Sequence, residues 1–208
     1  MVFRQFYIDD DLQIGIWKIQ ESEEELIRTL GQSPPTHLGD NAKRRREWLS
    51  VRCLAKAMND GVAVDIAYEG RRPFLKNGGN ISISHSGDWV AVAMGKREVG
   101  IDIECQTEKA MNVASRFMND EEYERWSKMA EDSRRYFATV IWCAKEAVFK
   151  TYKDGCVDFK HDIATEAFEE EAMGNLKATD RKGETVRHYD VKYMLHSMFV
   201  LTISTPVS

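Results

Sequence analysis

An α+β fold built from two similar halves is what this 208-residue sequence predicts, each half a long helix packed on a small antiparallel sheet. Three observations predict it. Two segments carry apolar residues at helical spacing, around Trp48 and around Trp142. Trp48 precedes Asp60-Gly61 by the same interval that separates Trp142 from Asp154-Gly155. Later in each half, ISISHSGDWVAVAM (81–94) and VKYMLHSMFVLTIS (191–204) read alike, as a strand, a His-Ser pair and an apolar strand. The same order twice predicts a duplicated unit and a pseudo-twofold pair of subdomains, 1–98 and 99–208, with a ligand between them.

The elements follow in chain order. Asp40 to Met58 reads as a helix capped by Asp40 or Asn41, with Trp48, Leu49, Cys53 and Ala57 at helical spacing and Asn59-Asp60-Gly61 as its end. Asn80 to Met94 reads as a hairpin turning at His85-Ser86-Gly87-Asp88. A short turn, Gly95 to Glu98, leads to a third strand, Val99 to Glu104, so the three strands run up, down and up. Residues 105–132 are expected to be helical, and Arg134 to Tyr152 forms a second long helix closing at Asp154-Gly155. Val186 to Leu195 and Met198 to Ser204 read as strands. The first 40 residues carry no motif.

Bulk properties narrow the class. A hydrophobic fraction of 43% and a charged fraction of 30% suit a soluble globular protein. Met1 to Gln20 holds Asp9, Asp10 and Asp11 and lacks the basic-then-apolar layout of a signal peptide. No apolar run approaches the roughly 20 residues that cross a bilayer. Cys53, Cys105, Cys143 and Cys156 are scattered without a C-x-x-C pair and read as reduced thiols. These features point to a cytoplasmic protein with no membrane partner. A net charge of −5 argues against a general nucleic-acid binder. The charge is uneven, however: Lys43-Arg44-Arg45-Arg46, Arg52 and Lys56 cluster, which suits a small polyanion as well as a solvated helix face.

The chemistry-bearing residues begin with Val99-Gly-Ile-Asp-Ile-Glu104. Alternation puts Val99, Ile101 and Ile103 on the core side and Gly100, Asp102 and Glu104 on the other, the two carboxylates about 7 Å apart. Such a pair can converge on a hard cation, Mg²⁺ by preference, with Gly100 leaving room for a ligand. A half-exposed strand with an acidic outer face would read the same. The up-down-up route brings Ser84 and His85 to the same sheet edge as the two acids. On the second long helix Glu146 and Lys150 lie one turn apart, which is an ordinary i,i+4 pair unless Glu146 completes the metal set.

R-P-F at 72–74, I-S-H-S at 83–86, G-I-D-I-E at 100–104 and W-x-x-K-E-A-x-x-K at 142–150 stand in the order seen in one family. The chain resembles the 4′-phosphopantetheinyl transferases of the surfactin-synthetase-activating (Sfp) type over about residues 40–155. The resemblance implies that fold and a Mg²⁺-dependent transfer of 4′-phosphopantetheine from coenzyme A to a serine of an apo acyl or peptidyl carrier protein, releasing 3′,5′-ADP. It implies Asp102, Glu104 and Glu146 as metal ligands, and Ser84, His85, Arg72, Arg44, Arg52, Lys145 and Lys150 as coenzyme A contacts. Glu146 is the first choice of general base and Lys150 the second, because an unassisted hydroxyl is a poor nucleophile. It assigns coenzyme A phosphate binding to the N-terminal subdomain and the metal carboxylates to the C-terminal one. One chain supplying both halves implies a monomer. A relative that binds coenzyme A or a carrier domain without turnover, or a Mg²⁺-dependent nuclease, are the competing readings.

Overall fold

The computed structural model describes residues 3–9, 11–152 and 156–207. The chain divides into two compact units, Met1–Arg97 and Glu98–Ser208. The expected helix end at Asp154-Gly155 lies outside the described residues.

The first unit opens with a hairpin, β1 (Phe3–Asp9) and β2 (Leu12–Lys18). Helix α1 (Glu23–Leu30) starts at a capping box, in which Ser22 and Glu25 satisfy each other's backbone N–H, and stops at Gly31 with φ of 78°. A turn of 3₁₀ helix at Thr36–Leu38 leads to α2 (Ala42–Met58), where Asn41 rather than Asp40 is the cap and accepts from the Arg44 N–H. A two-stranded ribbon follows, β3 (Ile66–Glu69) and β4 (Arg72–Leu75), then β5 (Asn80–Ser86) and β6 (Trp89–Gly95). The main sheet has the order β1-β2-β6-β5, all antiparallel. Trp17, Leu26, Leu49, Leu54, Val90 and Val92 fill the core between α1, α2 and this sheet. The β5–β6 turn is tighter than the sequence suggested: Ser86 pairs with Trp89, which leaves only Gly87 and Asp88 in the loop, with Gly87 at φ of 58°.

The second unit repeats the plan. Edge strand β7 (Gly100–Cys105) is followed by short helices α3 (Lys109–Asn112), α4 (Ala114–Phe117) and α5 (Asp120–Ser127), and then by the long α6 (Glu131–Phe149). Strands β8 (Ile163–Thr165), β9 (Met173–Asp180), β10 (Arg187–His196) and β11 (Phe199–Pro206) complete a sheet of order β7-β11-β10-β9-β8. Helix α6 covers it, with Val140, Cys143, Ala144 and Val148 packed against Leu176, Tyr189, Val191 and Val200. In each unit a hairpin's last strand pairs with a strand from before the long helix, β6 with β2 and β11 with β7. Among the described residues no helix is long and apolar enough to cross a membrane.

Two expectations need correction. The strands at 80–86, 89–95 and 100–105 do not form one up-down-up sheet. Both sides of β6 are already hydrogen-bonded, to β2 and β5, so β7 pairs with β11 in a separate sheet. Nor does Gly100 leave room for a ligand. A Cβ there would lie 1.8 Å from the carbonyl oxygen of Ala147, so the missing side chain lets α6 press directly onto β7.

Candidate active site

The acidic residues gather within the second unit. Alternation along β7 holds: Ile101 and Ile103 are fully buried on one face, while Gly100, Asp102 and Glu104 share the face that α6 crosses. Asp102 is only 4% exposed and Glu104 is half-buried. From α6, Glu146 and Lys150 approach one turn apart. The backbone N–H of Lys150 closes the helix by donating to the Glu146 carbonyl. The Lys150 ammonium donates to Asp102 Oδ1 at 2.7 Å and to the Ile101 carbonyl at 2.9 Å. Thr202, opposite Asp102 on β11, donates to the Cys143 carbonyl at 2.7 Å and so ties α6 to the sheet beside the acids.

The electrostatics follow from that crowding. Burial pushes the Glu146 carboxyl up to about 7; the negative charge of Asp102 adds to this, Lys150 opposes it and Glu104 contributes least. The Cys143 thiol, fully buried, is raised well above its ordinary value by burial and then by the charges of Asp102 and Glu104. Among the described residues no trio of His, Cys, Asp and Glu stands as a preformed metal cage. The donor set nevertheless suits Mg²⁺: hard carboxylate oxygens, acids that repel one another, and an ammonium already drawn to one of them.

Lys145, one residue before Glu146, is elsewhere. Its side chain is 0% exposed and its ammonium donates to the Phe117 carbonyl (2.8 Å), the Phe159 carbonyl (2.8 Å) and Glu122 Oε2 (2.6 Å). All three N–H groups are used inside the protein. The expectation that Lys145 contacts coenzyme A is therefore corrected. A residue next to Glu146 on a helix points about 100° away from it, here into the interior.

The first unit holds a cavity of about 780 Å³ with Arg44, Arg52, Arg71, Trp48, His37 and His85 on its wall. Three physical devices shape it. Helix α2 places Arg44, Trp48 and Arg52 on one stripe at i, i+4 and i+8. Arg52 lies flat over the Trp48 ring, 3.8 Å from its centroid, and donates to the carbonyls of Trp48 (3.3 Å) and Ile66 (3.2 Å). Strand β5 turns Ile83 and His85 toward the cavity, and His85 Nδ1 lies 3.4 Å from Glu47 Oε1.

Two of the expected contacts fall outside this wall. Ser84 sits between Ile83 and His85, so the pleat sends it to the opposite, buried face of β5, away from the imidazole. The ribbon β3–β4 brings Arg71, not Arg72, to the cavity; Arg72 is already the first residue of β4, paired with Glu69. The basic run itself is divided by the helix: Arg44 faces the cavity, while Arg45 is ion-paired with Glu23 of α1. Sequence reasoning missed Arg71, His37 and Glu47. The i, i+3, i+4 spacing from Arg44 would have found Glu47, but the turn residues carry no periodic signal.

Comparison with known proteins places these observations in a family. Residues 98–200 match the model of the 4′-phosphopantetheinyl transferase superfamily, covering most of the second unit. The chain is 32% identical over 108 residues to the 4′-phosphopantetheinyl transferase psf-1 of Bacillus pumilus, 51% of this chain and 46% of that one. It is 32% identical over 84 residues to the 4′-phosphopantetheinyl transferase gsp of Aneurinibacillus migulanus, 40% of this chain and 35% of that one. With the 4′-phosphopantetheinyl transferase Sfp of Bacillus subtilis strain 168 it shares 32% over 71 residues, 34% of this chain and 32% of that one. The aligned stretches thus span less than half the length of these relatives. The match of residues 98–200 coincides with the strand and helix that carry the acids, and on that ground the chain belongs to the 4′-phosphopantetheinyl transferase superfamily, in its Sfp-like branch.

Proposed function

We propose that this chain transfers the 4′-phosphopantetheine group of coenzyme A to a serine hydroxyl of an apo acyl or peptidyl carrier protein, with Mg²⁺, and releases 3′,5′-ADP. The observation that carries this reading is the meeting of Asp102 and Glu104 on β7 with Glu146 and Lys150 on α6, inside the stretch that matches the family. The basic cavity of the first unit suits a polyphosphorylated nucleotide. Arg44 and Arg71 supply planar forks for phosphate oxygens, Arg52 is braced by Trp48, and His85 adds a second donor type.

In the second unit Asp102, Glu104 and Glu146 are the residues that would hold the metal. What Mg²⁺ supplies there is neutralisation of charge on the pyrophosphate and on the departing nucleotide. Glu146, directly or through a water, is the first choice of group to take the serine proton; its raised value of about 7 belongs to the metal-free chain, and a bound cation would lower it. Lys150 brings a positive charge to the same face of β7 and is the second choice for that proton.

The test is incubation of the chain with coenzyme A, Mg²⁺ and a panel of apo carrier proteins, followed by intact-mass analysis of each carrier. The expected result is a gain equal to one phosphopantetheine arm on the carrier serine, abolished by a chelator. No adduct on any carrier would overturn the reading.

A further inference from the structure

Two lysines leave helix α6 near its end, and the structure treats them differently. Lys145 is sealed in the interior with three protein acceptors. Lys150, at the helix C-terminus, is 24% exposed along its side chain and, among the described residues, donates to two acceptors on the strand edge, the Ile101 carbonyl and Asp102 Oδ1. The first ammonium has no path out. The second sits on a four-carbon stem that reaches solvent, with a compact, strongly hydrated charge.

Asp102 is also a carboxylate that the proposed function gives to the metal, and the role inferred for Lys150 rests on that reading. An ammonium 2.7 Å from one oxygen of a carboxylate and a divalent cation on the same carboxylate repel each other strongly in a largely buried site. The two compete for one negative charge. We propose that Lys150 is a built-in counterion: it neutralises Asp102 in the metal-free chain, a divalent cation displaces it, and the released ammonium becomes available to an incoming phosphate. Lysine binding and metal binding at Asp102 are then alternatives. The exchange stabilises the acids before the metal arrives and delivers a positive charge at the moment a phosphate has to be held. A lysine that merely orients Asp102 would do the opposite, helping the metal to bind.

The sign of one measurement separates these roles. Mn²⁺, a hard-ligand stand-in for Mg²⁺, is titrated without coenzyme A into the wild-type chain and Lys150→Met, and free Mn²⁺ is counted by electron paramagnetic resonance. Loss of the competing ammonium is expected to tighten Mn²⁺ binding by about tenfold, a conservative figure for one charge at this distance. Equal or weaker binding by the variant overturns the proposal while leaving the metal assignment intact. Absence of binding by both chains overturns the proposal and removes the metal from the proposed function. A second measurement uses the wild-type chain alone, so it decides the matter if Lys150→Met does not fold. Acetylation of Lys150, followed by peptide mass analysis, is expected to accelerate severalfold with saturating Mg²⁺, relative to the exposed Lys177. An unchanged ratio refutes displacement.

Discussion

Replacing Lys145 by Met tests whether the residue is a ligand contact or part of the interior. The wild-type ammonium joins α6 to the end of α4 through Phe117, to α5 through Glu122 and to the segment before β8 through Phe159. Burial lowers its pKa and the Glu122 carboxylate opposes that shift, so the pair depends on staying intact. Removing one partner of a buried ion pair costs about 3–5 kcal/mol, chiefly because the other charge is stranded. Here Glu122 would keep the Asn119 N–H on Oε2 and the Thr165 N–H and Oγ1–H on Oε1, all at 2.7–2.8 Å, which softens the loss. Against that, the Phe117 and Phe159 carbonyls each lose a donor, at about 1 kcal/mol or more apiece. The sum stays near 4 kcal/mol.

For a chain of this size 1 kcal/mol moves the melting temperature by roughly 2–4 °C, so Lys145→Met should melt about 10 °C below wild type. Circular dichroism melts, with urea unfolding as a second probe, measure it. Glu122→Gln in the same chain should cost less than it does alone, because the stranded charge is gone. A coenzyme A contact predicts the reverse pattern, normal melting with a raised KM. A melting temperature within about 2 °C of wild type would refute the interior role.

Three further outcomes are expected. Gly100→Ala puts a methyl 1.8 Å from the Ala147 carbonyl oxygen, a backbone atom that cannot rotate away, and should destabilise the chain by about 3 kcal/mol in urea unfolding and displace Glu146; unchanged stability would contradict the close packing of α6 on β7. Arg71→Ala should raise the KM for coenzyme A by about tenfold or more, the value of one charge-assisted hydrogen bond, while Arg72→Ala should change it little; the opposite ranking in steady-state kinetics would restore Arg72. Burial raises Cys53 to about 11 and raises Tyr189 and Tyr193, so these groups hold their protons longer folded than unfolded. The unfolded state therefore ionises first, and stability should fall as pH climbs from about 9 toward 11, Cys53 alone contributing about 2–3 kcal/mol. Lys145, with its lowered pKa, acts in the opposite direction, so urea midpoints that rise above pH 9 would mean that it outweighs the others.

The long helices, the second hairpin and the parity of β7 were legible because periodicity in one segment determines them. Asp102 and Glu104 share a face for that reason alone, and Glu146 and Lys150 share a helix stripe. Pairing between segments was not legible. Nothing in the apolar run of β6 says that β2 will take its free side, since β1–β2 lies in a stretch without motifs. The Ser22–Glu25 capping box and the Gly31 stop were in the sequence as a helix signal and would have placed α1. Lys145 failed for a different reason: its buried partner, Glu122, is 23 residues away on another helix, and a lysine beside a conspicuous glutamate carries no local mark of burial.

The duplication gains content from the strand registers. Matching 81–94 to 191–204 sets Val92 against Thr202 and Val90 against Val200. In the sheets Val92 pairs with Gly15 and Val90 with Trp17, while Thr202 pairs with Asp102 and Val200 with Glu104. On the helices Trp48 matches Trp142, which sets Arg52 against Glu146. The first unit thus has glycine, tryptophan and arginine at the three positions where the second has its acids. Gly15 there is packed against Leu54 and Met58, Trp17 is buried, and Arg52 is stacked on Trp48, so the first unit has no carboxylate to offer a cation at any of the three. One backbone plan, with the charge at a single helix position reversed and two strand positions made apolar, thus gives the two units opposite chemistry at matching positions, an arginine stacked on tryptophan in the first and carboxylates in the second.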